Sequence, residues 1–335
     1  MLEPRREDVD LTDAQLCEMY VTMNTIRVFE ERVSYESSTG NVLGPTHLYV
    51  GQEAIATGIC AVLRTDDYIT STHRGHGHAI AKGCTIDRMM AELFGRATGY
   101  CKGKGGSMHI ADFSVGMLGA NAIVAAGIPI GAGAGLGIQL KNSDQVVASF
   151  FGESASNRGP FHEGINLAAV WRLPVLFVCE NNQYGQYTAH HHTMLVDNVA
   201  DRASAYGIPG IFVDGNDVLA VYEAANEAIT SIRAGNGPIL LECKTYRIEG
   251  HNVGDEQYYR TRAEVDAWRG PKDPITRFRT WLLDNAILTE QQDTELQAGV
   301  QANVDAAVTF AAESPFPEIE TALDDVFSTD YEVML

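Results

Sequence analysis

Residues 146 to 186, VVASFFGESASNRGPFHEGINLAAVWRLPVLFVCENNQYGQ, restrict the possible folds of this chain more than any other stretch. Val146 to Phe151 is short, apolar and rich in β formers, the pattern of a strand buried on both faces. Gly152-Glu153-Ser154 turns the chain into a helix carrying Ile165, Leu167, Ala168, Ala169 and Val170. A second buried run, Val175 to Val178, follows Pro174 and ends at Glu180-Asn181-Asn182. Strand, helix and strand in this order predict a right-handed crossover between parallel neighbours. Glu153 and Asn182 then lie side by side at the carboxyl ends. A carboxylate and an amide oxygen held together, with a carbonyl nearby, form a hard-oxygen site suited to Mg²⁺ and completed by phosphate oxygens. The N–H groups of Ser154 to Asn157, at the expected start of the helix, are placed to hold such a phosphate. The same residues are also ordinary punctuation between strand and helix.

The chain has 335 residues and 45% hydrophobic content, enough for a sizeable core. Its net charge of −20 argues against nucleic acid or an anionic membrane as partner. No charged-then-apolar leader opens it, and no apolar run reaches the length of a membrane span. The six cysteines are scattered without a CxxC pair and read as reduced core residues of a cytoplasmic protein.

Residues 1 to 10 are charged and read as loose. Thr12 and Gln15 form a capping-box pattern ahead of an amphipathic helix through Val33. Asp67 to Thr70 reads as a strand opening into His73-Arg74-Gly75-His76-Gly77-His78. Zinc is one reading of that loop, but no carboxylate or cysteine cluster accompanies it, and an anion site on Arg74 fits better. Lys102 to His109 looks superficially like a P-loop yet lacks its spacing, so a tight loop is preferred. The glycine- and alanine-rich run 119 to 137 predicts a closely packed helix. His190-His191-His192 reads as a solvated loop before a helix near Val199 to Tyr206. Strands at Ile211 to Val213 and Ile239 to Tyr246 flank a helix from Val218 to Arg233, and from Pro274 onward the chain is helical, with a second capping box at Thr289 and Gln292.

Every predicted strand ends in a polar or glycine-containing loop. In a doubly wound, mainly parallel α/β sheet, ligands bind outside those carboxyl ends. Two arginines, several histidines, a carboxylate and an amide gathered there describe a metal–diphosphate site. The expected organisation is a helical arm (1–40), an α/β domain (41–270) and a helical extension packed on it (271–335).

Residues 152 to 182 are similar to the thiamine diphosphate motif, which opens with Gly-Asp-Gly and closes with Asn-Asn; Glu153 and Asn182 are 29 positions apart (153 to 182). More closely, His47 to Ala54, the His73 to Gly77 loop, Gly103 to His109 and Arg247 to Arg262 resemble the alpha subunit of the two-subunit pyruvate, branched-chain and acetoin dehydrogenases, over roughly residues 11 to 330. Here Gly-Glu-Ser replaces Gly-Asp-Gly. Glutamate keeps the metal function, while Ser154 gives up glycine's close backbone approach. The resemblance implies the thiamine diphosphate-binding fold, with Mg²⁺ held by Glu153, Asn182 and the Tyr184 carbonyl. It assigns cofactor contacts to His73, Arg74, Gly152, Ser154, Ala155, Arg247 and His251, with main-chain contacts from Ala122 and Val124. It implies catalytic roles for His76, His251 and His47, His76 acting on the acyl group, so that His76→Ala is expected to depress turnover.

The resemblance further implies a separate beta subunit in an α₂β₂ heterotetramer, which supplies the glutamate that activates the thiazolium. The implied reaction is decarboxylation of a 2-oxo acid, or cleavage of acetoin, with acyl transfer to a lipoyl-bearing acyltransferase. A thiamine diphosphate lyase or carboligase working without lipoate is the alternative. A nucleotide-dependent kinase and a non-catalytic assembly subunit belong to other classes; the missing Walker spacing disfavours the first and the chemically competent Glu153 the second.

Overall fold

The two strands of the 146 to 186 stretch lie inside a five-stranded parallel sheet. The computed structural model describes Arg6 and residues 9–325, so most of the loose segment expected at 1 to 10 and the last residues of the helical extension lie outside the described residues. In chain order the main elements are α1 (Asp13–Ser38), α2 (Glu53–Cys60), β1 (Tyr68–Thr70), α3 (His76–Lys82), α4 (Ile86–Leu93), α5 (Gly127–Leu140), β2 (Val147–Gly152), α6 (Gly159–Trp171), β3 (Val175–Asn181) and a short hairpin of β4 (Tyr184–Gly185) and β5 (Thr188–Ala189). They continue with β6 (Gly210–Asp214), α7 (Val218–Arg233), β7 (Ile239–Lys244), α8 (Arg262–Asp266), α9 (Pro274–Asp284) and α10 (Glu290–Glu313).

The large sheet runs β1-β2-β3-β7-β6, with every pair parallel. Side chains alternate across a strand, and the core follows that alternation. Val147, Phe151, Phe177 and Cys179 pack with Ile128 and Ala132 of α5 and Ile165 and Ala168 of α6. Ala148, Phe150, Leu176 and Val178 pack on the opposite face with Phe29 of α1, Ile55 of α2 and Val221 of α7. Helices therefore cover both faces, as in a doubly wound sheet, and the continuous apolar runs follow from that double burial. Register sets Gly152 beside Glu180, so the polar residues that follow both strands emerge together. A Cβ on Gly131 would stand 3.0 Å from the Cβ of Ser149, so this glycine lets α5 lie close on β2. Both capping boxes form, at Thr12 with Gln15 and at Thr289 with Gln292.

Four local expectations are corrected. The helix expected from Ser154 begins instead at Gly159, after a 3₁₀ turn over Glu153–Asn157. Pro160 suits the first turn of a helix, where its missing N–H costs nothing, and the extended Arg158 (φ −97°, ψ 148°) separates the 3₁₀ turn from α6. The amides of 154 to 157 thus belong to a tight turn rather than to an α-helix N-terminus. Residues 119 to 126 are loop, and only Gly127 onward is helical. The segment Val199–Tyr206 is a 3₁₀ helix. The last central strand stops at Lys244, although Thr245 and Arg247 still donate to the carbonyls of Asn181 and Asn182.

The P-loop-like run also has a local explanation. The buried Glu92 carboxylate of α4 accepts from the amides of Cys101 (2.7 Å), Gly103 (2.9 Å), Gly105 (2.8 Å) and Gly106 (3.0 Å). These donors are spent on the protein's own anion. Among the described residues no helix is long and apolar enough to cross a membrane.

Candidate active site

A cavity of about 410 Å³ opens at the carboxyl ends of β1, β2, β3 and β7. Ser71 to Arg74 enter it after β1, Gly152 to Ala155 after β2, Asn182 and the β4–β5 hairpin after β3, and Arg247 and His251 after β7. Gln52, from the start of α2, and Ile123 to Ala125, from the loop before α5, complete the wall. Parallel strands sharing one register deliver these loops to one place, as expected for this class of sheet.

Glu153 is buried, and burial is the main reason its carboxyl is pushed up from the ordinary range; the Ser154 hydroxyl, 2.9 Å away, donates to it and opposes that shift. A Cβ on Gly185 would stand 1.9 Å from the Ser154 hydroxyl, so the glycine of the hairpin leaves room for this serine. Ser154 thus replaces glycine in the opening motif and becomes a donor to the carboxylate. Gln183 (φ 74°) and Gln186 (φ 54°) adopt left-handed backbone on either side of Tyr184. Non-glycine residues in this region mark a backbone held by its surroundings, often at functional sites. Asn182 donates to Gln52 (3.0 Å), and its carbonyl oxygen, which accepts from the Tyr184 amide (3.3 Å), keeps a second lone pair.

Arg74 and Arg247 dominate the electrostatics. Arg74 donates to the carbonyls of Leu48 and His251, and Arg247 to those of Tyr184 (3.3 Å) and Gln186 (2.7 Å) and to the Tyr259 hydroxyl (2.6 Å). Among the described residues neither forms an ion pair with a carboxylate, and Arg247 Nε is buried without a hydrogen-bond partner. Burial, with Arg247 nearby, lowers Arg74 to about 9, and burial also lowers Arg247. Burial, reinforced by Arg74, lowers His47 to about 3 and His251 to about 4, and drives His73 well below its ordinary value. These imidazoles are therefore neutral at physiological pH.

Two buried arginines and three histidines, crowded together with no carboxylate ion-paired to either arginine among the described residues, are complementary to a polyanion. Glu153, the Asn182 amide oxygen and the Tyr184 carbonyl are hard oxygen donors that match Mg²⁺. A magnesium diphosphate therefore fits the residues present.

The predicted residues separate into three groups. His73, Arg74, Val124, Gly152, Glu153, Ser154, Ala155, Asn182, Tyr184, Arg247 and His251 all line the cavity. His47 lies just behind it, with ring centroids 4.7 Å from His73 and 4.8 Å from His251. His76 does not line it. That imidazole is fully buried, with Nδ1 2.9 Å from Glu30 and Nε2 2.9 Å from Ser107. Both nitrogens are committed to partners inside the protein. The Ala122 side chain is likewise absent from the wall, although its φ is not in the left-handed region, so a main-chain role is open to it. Of the three consecutive histidines only His190 is buried, and none lines the cavity.

Sequence reasoning missed Gln52, Glu180 and Arg158, which also line the cavity. Gln52 sits within the quoted His47 to Ala54 run and Glu180 directly precedes Asn181-Asn182, so both were within reach of the motifs. Glu180 accepts from the Tyr49 hydroxyl and lies 2.9 Å from His78 Nε2, whose Nδ1 is 2.7 Å from the Ser71 hydroxyl.

Residues 21–320 match the family model described as "Dehydrogenase E1 component". The chain is 50% identical to the alpha subunit of acetoin:2,6-dichlorophenolindophenol oxidoreductase from Bacillus subtilis, over 96% of each chain. The corresponding subunit from Cupriavidus necator is 46% identical over 93% of this chain and 94% of its own. The pyruvate dehydrogenase E1 component alpha subunit of Porphyra purpurea is 40% identical over 93% of this chain and 92% of its own.

Proposed function

The chain belongs to the dehydrogenase E1 component family, as an alpha subunit of the 2-oxo acid and acetoin dehydrogenase group, and from that premise we propose that it forms, with a beta subunit, a thiamine diphosphate- and Mg²⁺-dependent enzyme that cleaves acetoin. Acetoin is favoured over pyruvate because the two acetoin oxidoreductase subunits share 50% and 46% identity with this chain, against 40% for the pyruvate dehydrogenase subunit. The acyl group then passes to a lipoyl-bearing acyltransferase. The absence of a charged partner for Arg74 and Arg247 is the observation that carries this reading.

In this reading Arg74 and Arg247 hold the diphosphate, with His73 beside it, and Glu153, Asn182 and the Tyr184 carbonyl hold the metal. The bound cofactor supplies carbanion chemistry, which the protein orients and shields. His251, neutral and close to the two arginines, accepts and returns protons at the cavity wall, backed by His47 just behind it. His76 acts as a positioning residue, tying α3 to α1 through Glu30. An α₂β₂ assembly in the cytoplasm, where the six cysteines stay unpaired, completes the proposal.

Co-expressed alpha and beta subunits assayed with acetoin, pyruvate and branched 2-oxo acids test it, with a lipoyl domain or an artificial acceptor. Acetoin turnover with lipoyl acylation is expected. Preference for a 2-oxo acid would move the substrate assignment, and turnover by the alpha chain alone would refute the partner. Glu153→Ala is expected to abolish Mg²⁺-dependent cofactor binding in calorimetry; unchanged affinity excludes it as a ligand.

A further inference from the structure

Gln52 stands at the start of α2, where an N-cap side chain commonly bonds the first helical amides, yet it makes no such bond. Its fully buried side chain crosses instead to Asn182, 130 positions away, where Oε1 accepts from Asn182 Nδ2 at 3.0 Å. The backbone holds it there. Thr245 Oγ1 donates to the Gly51 carbonyl (2.9 Å) and the Ile248 amide to the Val50 carbonyl (3.3 Å), which straps residues 50 to 52 to the segment after β7.

The direction of each bond is set from outside. The Tyr184 amide can only donate, and it donates to Asn182 Oδ1 (3.3 Å). Asn182 Nδ2 must then face Gln52, and Gln52 Oε1 must accept. Gln52 Nε2 is left buried with no hydrogen-bond partner among the described residues. Such a donor needs an explanation, and Gln52 lines the cavity. Arg247, whose amide donates to the Asn182 carbonyl (3.2 Å), carries a second unmet donor at Nε. Both residues bonded to Asn182 therefore hold a donor in reserve.

We propose that Gln52 is a further binding residue of the metal–diphosphate site, with a separate task at each end of its amide. Oε1 holds Asn182 in the rotamer that presents its amide oxygen to the metal, and Nε2 donates to an oxygen of the diphosphate. This rests on the cofactor reading proposed above. The carboxamide suits both tasks at once: glutamate cannot donate and lysine cannot accept. It also adds a directional contact without adding charge beside Arg74 and Arg247, which already repel each other.

The test uses the alpha chain with its beta subunit and reads binding rather than turnover. Calorimetry measures thiamine diphosphate at saturating Mn²⁺, and electron paramagnetic resonance measures Mn²⁺ at saturating thiamine diphosphate. Gln52→Met keeps the length, removes both polar ends, and is expected to weaken both affinities about tenfold or more. Gln52→Glu keeps the acceptor for Asn182 and replaces the donor with oxygen. It is expected to hold Mn²⁺ near the parental affinity while thiamine diphosphate stays about tenfold weaker or worse. Circular dichroism checks folding, and Gln52→Glu tests both ends by itself if Gln52→Met does not fold. Parental affinities in Gln52→Met would overturn the assignment. Parental thiamine diphosphate affinity in Gln52→Glu would overturn the donor, and Mn²⁺ affinity there as weak as in Gln52→Met would overturn the hold on Asn182. A parent enzyme that binds no thiamine diphosphate refutes the cofactor reading instead, so the two failures are told apart.

Discussion

Two groups of histidines, one at the start of α3 and one beside the cavity, are wired differently. His76 and His78, at the start of α3, have both ring nitrogens occupied: His76 by Glu30 and Ser107, His78 by Glu180 and Ser71. His47 and His251, beside the cavity, each keep a buried nitrogen with no partner. An imidazole whose hydrogen bonds are complete holds elements together; one left open has capacity for a ligand or a proton. Proximity to the motif does not separate the two groups, since His73 and His76 share one loop, whereas hydrogen-bond accounting does.

The contrast breaks most readily at His251. Replacing it with alanine is expected to lower turnover by roughly a hundredfold or more at saturating cofactor, with the melting temperature little changed. Normal turnover in the assembled enzyme would place His251 with the structural group. His76→Ala should do the opposite. It leaves the buried Glu30 carboxylate without its imidazole and should cost about 3 kcal/mol of stability, while turnover per folded molecule stays near the parent's. A turnover defect in fully folded His76→Ala would restore the catalytic role expected from sequence. Ser107→Ala removes only the second partner of His76 and should cost about 1 kcal/mol in urea unfolding; no change there would mean that Glu30 alone holds the ring.

The smallest effect is on acid stability of the cofactor-free chain. Folding lowers His47 to about 3 and His251 to about 4, below the ordinary value of about 6.5. The folded state therefore binds fewer protons than the unfolded state between these values. This contribution is complete above about pH 6.5 and is lost as pH falls toward 4 and then 3. The double variant His47→Gln/His251→Gln should show a shallower decline of stability between about pH 6.5 and 4. Superimposable pH profiles would remove the electrostatic distinction between the groups.

Much of this was legible in sequence because it is local. The strand–turn–helix–strand pattern from 146 to 182 names Glu153 and Asn182 through periodicity and spacing alone. Both capping boxes are three-residue signatures and formed as written. The partners of His76 lie beyond local reading, because Glu30 and Ser107, which complete its hydrogen bonds, are 46 and 31 positions away. The direct contact of the His47 ring with His73 and His251 depends on the return of β7 beside β3, which brings position 251 back to position 47. Pro160 is the local sign of where α6 starts, and it outweighs the glycine turn at Gly152-Glu153-Ser154.

The Glu92 cradle has a consequence in time rather than in affinity. Its four hydrogen bonds join residues only 9 to 14 positions apart, whereas Tyr68 meets Val147 across 79 positions (68 to 147). Short closures cost less chain entropy and form sooner than distant strand pairings. The glycine run is therefore expected to wrap its carboxylate before β1 and β2 find each other, giving α4 a fixed edge while the sheet is still open. Pulsed hydrogen exchange during refolding tests this order: Gly103 and Gly105 should gain protection ahead of Tyr68, whose amide donates to the Val146 carbonyl. Simultaneous protection would mean that the cradle waits for the sheet.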